Sequence, residues 1–115
     1  MTTRLERYQR QYESLQAQVA DIGFISSGSI VCRLTSCGKP GCRCQADPPQ
    51  RHGPYWQWTR KVAGKTVTRR LDEHEADLYR QWIANGRQLT RIVAQMEKVS
   101  ASAGDLLLPQ APPNR

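Results

Sequence analysis

Apolar residues recur at intervals of three and four toward both ends of the chain. Leu5, Tyr8, Tyr12, Leu15, Val19 and Ile22 follow one another at spacings of 3, 4, 3, 4 and 3, the a/d alternation of a heptad. This predicts a helix over 3–22, with Gly23 placed to end it. Further on, Leu78, Trp82, Asn85, Leu89, Ile92, Met96 and Val99 are spaced 4, 3, 4, 3, 4 and 3. They predict a second helix over 73–100, with Asp72 as candidate N-cap ahead of an acidic first turn. Asn85 is the one polar member of that seam, and a buried Asn there fixes register or partner number at a cost in stability. Each seam needs a partner. Either the two helices pair as an antiparallel coiled coil within one chain, or one or both pair across a homodimer.

The middle of the chain changes period. Over 29–35, Ile30, Cys32 and Leu34 share one face while Val31, Arg33 and Thr35 share the other, as in a half-buried strand. Trp56 and Trp58 alternate with Tyr55 and Gln57 over 54–61, and Val67, Arg69 and Leu71 with Thr66, Thr68 and Arg70 over 65–71. Val62-Ala63-Gly64-Lys65 suits a hairpin turn, Gly64 supplying a positive φ. The paired tryptophans read as core under the helices. The fold class is α+β: a small three-stranded antiparallel sheet with a zinc-knuckle loop, flanked by two heptad-patterned helices. One domain is expected over 1–100, with a metal loop at 36–53 and a hairpin at 54–71. Residues 101–115, rich in Ala, Ser, Gly and Pro, read as a flexible tail.

Charge sharpens this picture. The chain has 115 residues, 17 of them Lys or Arg and 10 Asp or Glu, for a formal charge of +7. Nine of the cations fall within 33–70, against Asp47 alone. A field so concentrated attracts a polyanion, and nucleic acid is the commonest. The candidate contacts are Lys39, Arg43, Arg51, Tyr55, Arg60, Lys61, Lys65, Arg69 and Arg70. No apolar run approaches the roughly 18 residues of a membrane span, and the N-terminus lacks the apolar stretch of an export signal, so a cytoplasmic protein with no membrane partner is expected.

The same stretch holds all four cysteines. Cys37, Cys42 and Cys44 crowd three sulfurs into Cys37-Gly38-Lys39-Pro40-Gly41-Cys42-Arg43-Cys44, whose glycines let the backbone wrap so that N–H groups point at thiolates. Three thiolates this close repel unless a cation holds them. Zn²⁺ takes four Cys or His ligands in structural sites, and His52 is the natural fourth. Cys32 is set aside as a small hydrophobe on the sheet's apolar face, and His74 as a solvated imidazole among acids. One structural zinc is the expected cofactor. With Asp47 the only nearby acid and no nucleophile–base pattern, no enzymatic activity is expected.

The run Cys37-Gly-Lys-Pro-Gly-Cys42-Arg-Cys44, then His52-Gly-Pro-Tyr55, then Gly64-Lys65, resembles a family of small prokaryotic proteins of unknown function with a CGKxxCxC…HGPY…GK signature, over about residues 28–90. The resemblance implies that Cys37, Cys42, Cys44 and His52 form one site. Some members are encoded near transposases or site-specific recombinases, which implies a mobile-element setting and DNA rather than RNA. The expected function is a DNA-binding accessory or regulatory protein with a structural zinc. Its rival is an adaptor that docks a recombinase, a transposase or another partner through the heptad helices.

Overall fold

Six elements follow one another: helix α1 (Arg4–Ala20), strand β1 (Ser29–Thr35), a short 3₁₀ turn (Arg43–Gln45), strands β2 (His52–Val62) and β3 (Lys65–Leu71), and helix α2 (Glu73–Leu107). The structure, a computed structural model, describes residues 2–109. The strands form one antiparallel sheet in the order β1-β2-β3, so the expected α+β arrangement is present.

The helix ends follow from local donors and acceptors. At the start of α1, Thr3 Oγ1 accepts the Glu6 N–H at 3.1 Å, satisfying one of the donors a first turn leaves without a partner. The helix stops at Ala20, where Asp21 N–H and Ile22 N–H fold back onto the Gln18 and Val19 carbonyls. This tightened turn ends α1 before Gly23 is reached. At the start of α2, Asp72 Oδ1 accepts the Glu75 N–H at 2.8 Å and Glu75 Oε1 accepts the Asp72 N–H at 3.0 Å. The pair is a reciprocal capping box. The helix then runs seven residues past the expected boundary at Ser100. Ala101, Ala103, Leu106 and Leu107 are good helix formers, and Pro109 supplies the stop. The tail expected over 101–115 is therefore helical to Leu107, and its residues 110–115 lie outside the described residues.

The chain divides into two compact units: Ile25–Ala84, and the remainder, which holds α1 and α2 from Asn85 onward. In the helical unit the heptad seams decide burial. Along α1, Leu5, Tyr8, Tyr12, Leu15 and Val19 are buried or half-buried and every other residue is exposed. Between Asn85 and Ser100 the same holds for Asn85, Leu89, Ile92, Met96 and Val99, with Gly86 beside Asn85. Only Leu15 and Ile92 are buried there among the described residues, and neither completely. The two helices run antiparallel. Tyr8 and Tyr12 line a groove with Val99 and Ala103, Leu15 lines another with Gln95, and Asn85 Nδ2 donates to the Phe24 carbonyl at 2.9 Å. The polar member of the seam thus closes the loop that follows α1.

In the sheet unit the core comprises Trp58, Leu71, Ala76 and Ile83, with Ile30, Trp56 and Tyr79 packed against it. Ala76, Tyr79 and Ile83 form a second stripe on α2, at spacings of three and four, that the heptad reading passes over. The Tyr79 ring lies 4.1 Å from Trp58, and Trp58 Nε1 donates to the Ser27 carbonyl at 2.8 Å, so the buried indole keeps its hydrogen bond. The register aligns Ile30 with Trp58 and Arg69, and Cys32 with Trp56 and Leu71. Cys32 does not behave as the small buried hydrophobe expected. It is exposed, as is Leu34 at 56%, because β1 is an edge strand from which only Ile30 reaches the core. Ala63 and Gly64 both take positive φ, 50° and 79°, as a two-residue hairpin turn of the primed type requires.

Candidate metal centre

Pairing of β1 with β2 builds the site. Thr35 lies opposite His52, so the first residue of β2 comes beside the chain leaving β1, two residues before Cys37. Just inside β2 the register shifts by one residue, between the Arg33 and Thr35 pairs. Gly53 makes this possible: its φ is +115°, and a Cβ there would lie 2.9 Å from the Arg33 carbonyl oxygen, closer than a side chain tolerates. The His-Gly-Pro-Tyr run therefore has a structural reason. Gly53 absorbs the irregularity between His52, which faces the cysteines, and Tyr55, which belongs to the sheet.

Cys42 and Cys44 flank the start of the 3₁₀ turn. That turn is held by Cys42 N–H to Lys39 O (3.3 Å), Gln45 N–H to Cys42 O (2.9 Å) and Gln50 N–H to Arg43 O (3.0 Å). The donor atoms of Cys37, Cys42, Cys44 and His52 all lie within 4.8 Å of one another. Cys37 Sγ is 3.5 Å from Cys44 Sγ, and Cys42 Sγ is 3.2 Å from His52 Nε2. A tetrahedral ion with bonds of about 2.1–2.3 Å sets its ligands roughly 3.5–3.8 Å apart. The close pairs are already near that spacing, and the widest needs about an ångström of side-chain movement. The four residues grouped from sequence are brought together, and they are compatible with a bound metal. Cys32 and His74 are not among them.

Backbone donors tune the sulfurs. Cys37 N–H points at Cys44 Sγ at 3.3 Å, the interaction expected of a tightly wrapped loop. The Cys44 backbone N–H, with Cys37 and the other cluster side chains, brings the Cys42 thiol down to about 6, so it is largely thiolate at neutral pH. For Cys37, the Lys39 backbone N–H favours the thiolate. The neighbouring Cys44 and Cys42 sulfurs, partial burial and the Cys42 charge outweigh it, and the thiol moves up. One sulfur is ionised at the expense of its neighbour, as close like charges require. Cys44 is the buried member, 3% exposed. Gln45, which the sequence reading passes over, donates its side-chain N–H to Cys37 O and to Cys44 Sγ. It is a supporting residue of the kind that orients ligands, and only its adjacency to Cys44 marks it.

The expected cationic contacts separate into groups. Lys39, Arg43 and Arg51 are exposed on the metal loop, and Lys65 is exposed at the hairpin. Lys61 and Arg70 are exposed on the sheet face opposite the tryptophans. Lys61 Nζ donates to Thr66 Oγ1 at 2.7 Å, and the Arg70 guanidinium lies 3.7 Å over the half-buried Tyr55 ring. Arg69 shares its exposed guanidinium with Glu75 at 3.7 Å. Arg60 lies apart from these. Its guanidinium stacks 3.8 Å over Trp58 and its Nη1 is buried, because strand alternation places Arg60 on the tryptophan face. The residue as a whole is half-buried, less open than the other cations of the hairpin.

The family model described as Domain of unknown function (DUF6788) matches residues 3–81, and the chain belongs to this family. The match takes in α1 as well as the metal loop and sheet, where the sequence signature suggested a start near residue 28. No curated protein and no solved structure matches the chain.

Proposed function

We propose that this member of the DUF6788 family is a non-catalytic nucleic-acid-binding domain, in which one structural zinc held by Cys37, Cys42, Cys44 and His52 braces a cationic sheet. The observation that carries the reading is the placement of charge. β1, β2 and β3 contain Arg33, Arg60, Lys61, Lys65, Arg69 and Arg70 and no acidic residue, and the loop between β1 and β2 adds Lys39, Arg43 and Arg51 against Asp47 alone. Such a surface attracts phosphates and releases their counterions. Three thiolates and an imidazole suit zinc among cellular metals. They would supply all four ligands of a tetrahedral ion, the donor count of structural sites rather than of catalytic ones that keep a position for water. DNA as the polymer, and an accessory role in a mobile element, rest on the family resemblance alone.

Fluorescence anisotropy with labelled single-stranded and duplex oligonucleotides tests the reading. Affinity is expected to fall at least about tenfold between roughly 50 and 200 mM salt. No binding at the lower salt, or a salt-independent affinity, would overturn it. A second reading, an adaptor for a protein partner such as a recombinase or transposase, is favoured by the half-buried seams and by exposed Leu106, Leu107 and Leu108 at the end of α2. A protein that stays with the chain through nuclease treatment would support that reading.

A further inference from the structure

The two faces of the sheet treat their cations differently. On the face toward Trp58, Arg60 is stacked on that indole and Arg69 is paired with Glu75. The register places Val31, Arg33, Tyr55, Gln57, Thr59, Lys61, Thr66, Thr68 and Arg70 on the other face. Arg33, Lys61 and Arg70 are all exposed there, and none is paired with an acid among the described residues. Arg33 lies directly opposite Tyr55 from β1, while Arg70 reaches over the same ring from β3. Tyr55 thus has Arg70 over its ring and Arg33 as its register partner on the edge strand, with exposed Val31 nearby on β1. Lys61 continues the cationic line six residues along β2, about 20 Å at strand rise.

Building on the nucleic-acid reading above, we propose that this open face binds single-stranded nucleic acid, with Arg33, Lys61 and Arg70 facing its phosphates and a base stacked at the Tyr55–Arg70 pair. A polyanion is the occupant because the face carries only positive charge. A single strand fits because an unpaired base offers its π-face to an aromatic ring without leaving a duplex stack. A duplex fits poorly. Its major groove, about 12 Å wide, admits a helix or a two-stranded ribbon, whereas Tyr55 and Gln57 lie on the central strand with neighbours on both sides. The face does not select the sugar. Thr59 and Thr68 hydroxyls bond each other at 3.1 Å, and Thr66 Oγ1 is held by Lys61, so these groups are already engaged within the sheet.

The test uses the full chain, loaded with zinc, and labelled 20-residue single strands of DNA and RNA with a duplex of the same sequence. The single strands should bind alike, within about threefold, and more tightly than the duplex. Replacing Arg33→Gln, Lys61→Gln and Arg70→Gln together should weaken single-strand binding at least about tenfold and flatten the log–log salt dependence by about 2, the counterion release of three phosphate contacts. Removing the same charge from the metal loop, Lys39→Gln, Arg43→Gln and Arg51→Gln, should weaken it less than the open-face set does. If the loop set weakens binding as much as the open-face set, or the duplex binds more tightly, this face is wrong while the nucleic-acid reading stands. If the wild type binds no nucleic acid, that reading itself fails. Photocrosslinking of an iodouridine-containing strand to the wild type decides the matter even if a variant does not fold. An adduct on Tyr55 is expected, and adducts confined to the metal loop or to the other sheet face would overturn the proposal.

Discussion

The helical unit and the sheet unit solve the problem of a small core differently. In the helical unit, α1 and the later turns of α2 order themselves through local hydrogen bonds, withdraw heptad seams from solvent and bury only Leu15 and Ile92 among the described residues. Their unit is near neutral, with seven cations against five acids. The sheet unit has ten cations against five acids, closes non-local strand pairs and packs aromatics over a short stretch of α2. It also contains a 16-residue connection between β1 and β2, long for a compact fold without its own core. The three cysteines of the cluster lie in that connection, and His52 opens β2 directly after it. A charged, loop-rich unit gains more from a cross-link than a seamed helix pair does, and the Cys/His cluster is compatible with one made by a metal.

Removing a ligand should separate the units most clearly. Structural zinc contributes about 10 kcal/mol or more to small zinc domains, comparable to the roughly 5–15 kcal/mol that holds a whole domain folded. Cys44→Ser, at the buried ligand, is expected to abolish metal loading and to strip hydrogen-exchange protection from the metal loop and the β1–β2 pairing, leaving the α1 amides protected. Equal loss in α1 would erase the distinction between the units.

Ile92→Ala probes the other side. Deleting most of this buried side chain should cost about 2–5 kcal/mol, read as a lower midpoint in urea, with metal content per chain unchanged. A fall in metal content would show that the sheet unit depends on the seam. Within the sheet core, Trp58→Phe removes the bond to Ser27 and part of the surface on which Arg60 stacks. It should cost about 1–2 kcal/mol and reduce the change in tryptophan fluorescence on unfolding, to which Trp56 and Trp82 still contribute.

These contrasts also explain what the sequence disclosed. The seams were legible because helix burial follows spacing: the positions read from sequence are the ones withdrawn from solvent in the helical unit. The grouping of Cys37, Cys42, Cys44 and His52 was legible because three sulfurs so close together have few other uses. Strand alternation placed Trp58 correctly but not Cys32, since it gives the face a residue shares and not how far a covering helix reaches along an edge strand. Arg60 shows a related limit, as composition counts a cation without saying which face it occupies. The stripe of Ala76, Tyr79 and Ile83 was masked by the stronger heptad beside it. The helix beyond Ser100 was hidden by a composition that reads as tail although its residues favour helix until Pro109.

The smallest effect expected is at the capping box. The Glu75 backbone N–H holds the Asp72 carboxyl below the usual carboxylate range, helped by the Glu75 side chain and the His74 charge and opposed by partial desolvation. A carboxyl lowered on folding stabilises the fold above its unfolded pKa near 4, and that contribution is lost as pH falls through the lower folded value. Asp72→Asn keeps a capping side chain without the titration. It should flatten the acid limb of thermal stability below about pH 4 and leave the neutral-pH melting temperature within a few degrees. An unchanged acid limb would remove this account of the cap.

Native mass spectrometry of the purified chain at neutral pH tests the central claim most directly. One divalent ion per chain is expected, absent from Cys37→Ser, Cys42→Ser, Cys44→Ser and His52→Ala variants and retained in Cys32→Ser. A wild-type chain that carries no ion after refolding with excess zinc, or that keeps its ion when any of those four donors is removed, would contradict it.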